Sequence, residues 1–153
     1  MLRETITEAM KAAMRAREAE AVSTVRMILA GIKDKDIAAR PSGNATGISD
    51  PEILALLQSM VKQRRESIAL YRQGGRADLV AKEECEIAVI ERFMPAQLDA
   101  AATDAAIAAV IAETGAASIK DMGKVMAALK AKYSGQMDFS AVGPAVKAKL
   151  GGS

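Results

Sequence analysis

Apolar residues return every three or four positions along most of the chain, the spacing of one buried helix face, and no segment is read as a strand. Leu2, Ile6, Ala9, Met10 and Ala13 share one side of a predicted helix over residues 2–17, with Glu4, Glu8, Lys11 and Arg15 opposite. A second helix, over about 22–39, gathers Val22, Val25, Ile28, Leu29 and Ile32. The run from Pro41 to Gly47 is rich in turn residues and breaks the pattern. Ser49-Asp50-Pro51-Glu52 then opens a third helix with proline in the first turn and a glutamate three residues after the serine. That helix runs to about Gln73, where Gly74-Gly75 ends it, and a fourth over about 78–93 stops at Met94-Pro95.

Beyond Pro95 the helices shorten. Asp99 caps a fifth carrying Ile107, Val110 and Ile111, which ends at Thr114-Gly115. Ser118-Ile119-Lys120-Asp121 has the capping pattern of a sixth, ending at Ser134-Gly135. Asp138 starts a seventh with Phe139, Val142, Val146 and Leu150 on one side, and Pro144 is expected to distort its middle. The prediction is an all-α, multihelical chain. An N-terminal helical lobe, residues 1–94, is built on a long antiparallel hairpin, and a compact three-helix lobe occupies residues 95–153.

Two charges interrupt the apolar faces of that hairpin. At about 100° per residue, Arg64 falls in the centre of the face made by Ile53, Leu56, Leu57, Met60, Val61, Ile68 and Tyr71. Glu86 falls among Leu79, Val89, Ile90 and Phe93, with Glu83 nearby. The Gly74-Gly75 turn makes the helices antiparallel neighbours and lies nearly equidistant from Arg64 and Glu86. These two are expected to pair inside the core, with Arg26 and Glu83 as further members. The preferred role is structural, because removing one partner of a buried pair costs about 3–5 kcal/mol.

Composition removes most catalytic chemistry. The chain has no histidine, hence no imidazole base and no His-based metal site. The lone Cys85 stands among Glu83, Glu84 and Glu86, which should raise its thiol pKa, so it is not read as a nucleophile. Gly74-Gly75 reads as a helix stop and not a phosphate loop. No catalytic residue, metal ligand or cofactor is assigned. No apolar run reaches the roughly 20 residues that cross a bilayer, and Arg3, Glu4 and Glu8 stand where a signal peptide would be apolar. A cytoplasmic location with no membrane partner is expected.

Charge points to the C-terminal lobe. Between Ser118 and Leu150, Lys120, Lys124, Lys130, Lys132, Lys147 and Lys149 face only Asp121 and Asp138. On the sixth helix Met122, Val125, Met126 and Leu129 form the buried stripe. Gly123, Ala127 and Ala131, spaced by four, leave a shallow groove among Lys120, Lys124 and Lys130. A phosphate backbone could approach there while the lysines displace its counterions. Solvated lysines on an ordinary helix face are the plainer reading of the same pattern. With aromatics at 3%, base stacking is disfavoured, and the shape and phosphates of a folded RNA are the better target.

Several segments, in order, carry a family likeness: Thr24-Val-Arg-Met-Ile28, Lys62-Gln-Arg-Arg-Glu-Ser67, Gly75-Arg-Ala-Asp-Leu79, Glu83-Glu-Cys-Glu-Ile87, Phe93-Met-Pro-Ala-Gln-Leu98 and Asp121-Met-Gly-Lys-Val-Met126. With Gly135 and Val146-Lys-Ala-Lys-Leu150 they make the chain resemble the YqeY-like proteins. These are relatives of the C-terminal tail domain of the B subunit of the glutamine-dependent aminoacyl-tRNA amidotransferase. The resemblance implies a helical two-lobed fold whose C-terminal lobe corresponds to that tail, which holds the outer corner of tRNA. Gly123 and Lys124 are the best matches for a backbone-contacting position. Gly143-Pro144 departs from the family pattern of a continuous helix with a polar residue there. The function implied is a tRNA-binding accessory module, not catalytic alone. Its inherited label is carbon–nitrogen ligase with glutamine as amido-nitrogen donor, and a protein partner in tRNA aminoacylation or amidation is possible. The rival reading is a non-catalytic protein-interaction adaptor.

Overall fold

Side chains that take the first free amides decide where several helices begin. In the computed structural model, which describes residues 1–151, Ser49 Oγ accepts from Glu52 N, and the Glu52 carboxylate accepts from Ser49 N at 2.7 Å. This reciprocal cap opens α3 (Asp50–Gln73). Asp99 accepts from Ala102 N at 2.7 Å ahead of α5 (Ala100–Thr114), and Asp138 from Ser140 N at 3.1 Å ahead of α7 (Phe139–Leu150). The remaining helices are α1 (Leu2–Ala16), α2 (Ala19–Ala39), α4 (Ala77–Glu91) and α6 (Met122–Lys132). Short 3₁₀ turns occupy Arg40–Ser42 and Ile119–Asp121. Among the described residues there is no strand, so the chain is all-α. No single described helix is long and apolar enough to cross a membrane.

The chain separates into two compact units after Met94. In the first, α3 and α4 form an antiparallel hairpin whose turn uses Gly75 at φ 68°. Ile6, Val25, Ile28, Ile32, Ile53, Leu57, Val61, Val89 and Ile90 form its core, each such side chain contributing about 1.5–3 kcal/mol on burial. The α1–α2 junction is tighter than predicted. Arg17 adopts φ 57°, and α2 begins at Ala19 where the sequence reading starts it near Val22. A left-handed residue reverses the chain without a loop, which brings Ala21 into the core.

A clasp holds the segment that precedes α3. The Arg3 guanidinium forks onto Asp36, with Nη1–Oδ2 at 2.7 Å and Nη2–Oδ1 at 2.9 Å. Asp36 Oδ1 also accepts from Ile48 N at 2.8 Å, and Arg3 Nη2 donates to Ile48 O at 3.2 Å. Gly47, at φ 101°, passes so close that a Cβ would lie 2.7 Å from Arg3 Nη2.

The second unit packs α5, α6 and α7 around Ile107, Val110, Val125, Leu129, Val142 and Val146. Gly115, at φ 66°, ends α5. The approach to α5 is tied back by Leu98 N donating to Gln136 O at 3.0 Å. Pro144 lies inside α7 without ending it, so the helix is continuous from Phe139 to Leu150.

Candidate nucleic-acid interface

Val125 and Leu129 drive one side of α6 into the core, with Met122 and Met126 half-buried beside them. The opposite side is left to solvent: Gly123, Lys124, Ala127, Lys130 and Ala131 are exposed, and Lys120 is exposed on the preceding turn, while Lys132, exposed at the end of the helix, lies on the side of Val125. A Cβ built on Gly123 meets nothing within 4 Å. The Asp121 carboxylate fixes the entry to this helix by accepting from Ala117 N at 2.9 Å and from Ser118 N at 3.4 Å. Those amides, with Lys124 nearby, hold its carboxyl below the usual range. Lys147 and Lys149 are exposed on α7.

The lysines are not equivalent. Lys132 donates to Glu113 on α5, which holds its ammonium above the ordinary range. Lys149 Nζ lies 3.8 Å from Asp104 Oδ1. Among the described residues no ion pair engages Lys120, Lys124, Lys130 or Lys147. The sequence between Ser118 and Leu150 sets only Asp121 and Asp138 against these lysines, and the fold adds two carboxylates from α5. No helical period reveals that proximity, because Glu113 and Asp104 reach lysines on other helices, Lys132 on α6 and Lys149 on α7.

In the first unit Arg64 Nε donates to Glu86 Oε2 at 2.9 Å, with side chains 12% and 15% exposed. Arg64 Nη1 also donates to Met60 O at 3.2 Å, and Nη2 lies 3.7 Å from Met27 Sδ. The structure does not bring Arg26 or Glu83 to this pair: Arg26 is exposed and Glu83 half-buried, and neither forms an ion pair among the described residues. An open groove of about 480 Å³ lies along the hairpin, lined by Ile68 and Ile87 and bridged by Arg65–Glu91 and Arg72–Glu84, each at 3.0 Å. The Cys85 thiol is pushed up, but the first cause is Glu20 on α2, whose carboxylate accepts from Sγ at 3.0 Å. Of the three neighbouring glutamates, Glu86 adds a smaller effect in the same direction. Such a thiol is a poor thiolate nucleophile.

The family model described as Yqey-like protein matches residues 3–150, nearly the whole chain. The chain belongs to the YqeY-like family. Among curated proteins it is similar to "Altered inheritance of mitochondria protein 41, mitochondrial" from Eremothecium gossypii, 36% identical over 87 residues, covering 57% of this chain and 45% of that protein. The protein of the same name from Lachancea thermotolerans is 32% identical over 85 residues, covering 56% and 43%. That from Pyrenophora tritici-repentis is 31% identical over 84 residues, covering 55% and 44%. This YqeY-like chain thus spans under half the length of these relatives. Their names correct the expectation of a cytoplasmic protein. That expectation rested on the charged start of the chain and on the lack of a bilayer-length apolar run, whereas these relatives are named as mitochondrial proteins.

Proposed function

We propose that this YqeY-family chain is an accessory module that holds a folded tRNA by its phosphates and shape, through the exposed face of α6, and performs no chemistry alone. The observation that carries the reading is Gly123. Gly123 stands in the first turn of α6, and no neighbour in the second unit needs the missing Cβ. The space above it faces outward between exposed Lys120, Lys124 and Lys130, as close approach by a phosphate backbone requires. Ammonium groups there gain from counterion release without reading sequence. The likeness to the amidotransferase tail domain supports tRNA as the polyanion. The assembly served would be a glutamine-dependent carbon–nitrogen ligase acting on aminoacyl-tRNA, and the relatives' names favour a mitochondrial setting.

Gly123→Leu tests the reading. Added bulk on an open helix face should leave thermal stability unchanged or slightly raised. Retention of unfractionated tRNA on a filter should weaken by roughly tenfold, the loss of about one phosphate contact's worth of close approach. Equal retention by wild type and variant would remove α6 from the interface. No retention by the wild type at low salt would sink the tRNA reading and favour a protein-binding adaptor.

A further inference from the structure

Six lysines share the second unit with five carboxylates, Asp99, Asp104, Glu113, Asp121 and Asp138. Three of the five are committed to backbone amides at the starts of helices: Asp99 to Ala102 N, Asp121 to Ala117 N and Asp138 to Ser140 N. The other two lie on α5 and meet lysines, Glu113 with Lys132 and Asp104 with Lys149. Neither pair holds the core together: side-chain exposures are 55% and 47% in the first, 68% and 36% in the second. Exposed pairs of this kind add little to folding. Glu113 also occupies the last turn of α5, the negative end of the helix dipole, where a carboxylate is disfavoured. Helix stability therefore gives no reason for an acid at that position.

We propose that Glu113 and Asp104 compete with RNA phosphates for Lys132 and Lys149, restricting the contact surface to Lys120, Lys124, Lys130 and Lys147. This rests on the tRNA-holding reading and adds a regulator to it. Each α5 carboxylate neutralises one ammonium and repels an approaching phosphate, so α5 sets both the affinity and the number of counterions released. Neutralising α5 widens the cationic surface without touching the α6 face.

Filter retention of deacylated, unfractionated tRNA across a salt series tests this with the intact chain. The variants are Glu113→Gln, Asp104→Asn and a control, Glu66→Gln, which removes an exposed charge from the other unit. Each α5 variant should bind about two- to fivefold tighter at low salt. Each should also steepen the plot of log affinity against log salt by up to about 0.9. In a Lys132→Ala background the gain from Glu113→Gln should shrink. If wild type binds but the α5 variants are no tighter than Glu66→Gln, the competition is refuted and the tRNA reading stands. If wild type and all variants fail to retain tRNA, both fall together. Unchanged circular dichroism and thermal midpoints exclude misfolding as the source of either result.

Discussion

Glu86→Leu removes the carboxylate that faces Arg64 and leaves the rest of the hairpin in place. Arg64 would keep its bond to Met60 O and its contact with Met27 Sδ. Its charge, however, would remain in a site where the side chain is only 12% exposed. Loss of one partner from a fully buried pair costs about 3–5 kcal/mol. The small opening to solvent lowers that, so about 2–3 kcal/mol is expected for the first unit. Replacing both charges, as Arg64→Met with Glu86→Leu, removes the stranded ion and should return stability to within about 1 kcal/mol of wild type. Urea unfolding of the two singles and the double yields the coupling energy. The exposed Arg72–Glu84 pair serves as control, and its removal should barely move the midpoint. A Glu86→Leu cost no larger than the control would show that Arg64 is not stranded without its partner. A double variant that costs the sum of the singles would show the same.

Three further outcomes follow. Arg17→Gly should stabilise the first unit by about 0.5–1 kcal/mol in urea unfolding, since φ 57° suits glycine and strains arginine; a loss of stability would contradict the α1–α2 junction. Asp36 is held below the usual carboxyl range, first by Arg3 and then by Ile48 N. Its stabilisation is therefore present above the unfolded pKa of about 3.9 and lost as pH falls through the lower folded value. Unfolding midpoints from pH 5 down to pH 2 should fall less steeply in Asp36→Asn, and parallel curves would contradict the clasp. The Cys85 thiol, raised by Glu20, should react with a thiol reagent faster in Glu20→Gln at pH 8; equal rates would remove that hydrogen bond.

Most of the fold was legible because its signals are local. Ser49 with Glu52, Asp99, Gly115 and the glycines at 74 and 75 mark helix ends through their own amides and backbone angles. The Arg64–Glu86 juxtaposition followed from period and turn position alone. The features that escaped depend on contacts between distant segments or on unusual backbone. Arg17 is not a residue that advertises a left-handed end, so the apolar pattern alone starts α2 near Val22 and not at Ala19. Arg3, Asp36 and Ile48 meet only once α1, α2 and the loop before α3 are assembled. Glu20 stands 65 residues from Cys85, so the sequence shows only Glu83, Glu84 and Glu86 as sources of a raised thiol pKa. On the candidate interface, the exposed face of α6 was readable from its helical wheel. The partners of Lys132 and Lys149 were not, because both stand on α5, and a contact between separate helices leaves no periodic trace in either.

If, as proposed, the exposed lysines around α6 grip RNA phosphates, binding must depend on salt and on each lysine. The most direct measurement is the salt dependence of tRNA retention for wild type and Lys124→Ala. With Lys120, Lys124, Lys130 and Lys147 engaged, log affinity should fall against log salt with a slope of roughly −3 to −4. Lys124→Ala should weaken binding and make that slope shallower by about one unit. A wild type that retains no tRNA at low salt, or a Lys124→Ala variant with an unchanged slope, would show that α6 does not grip RNA phosphates.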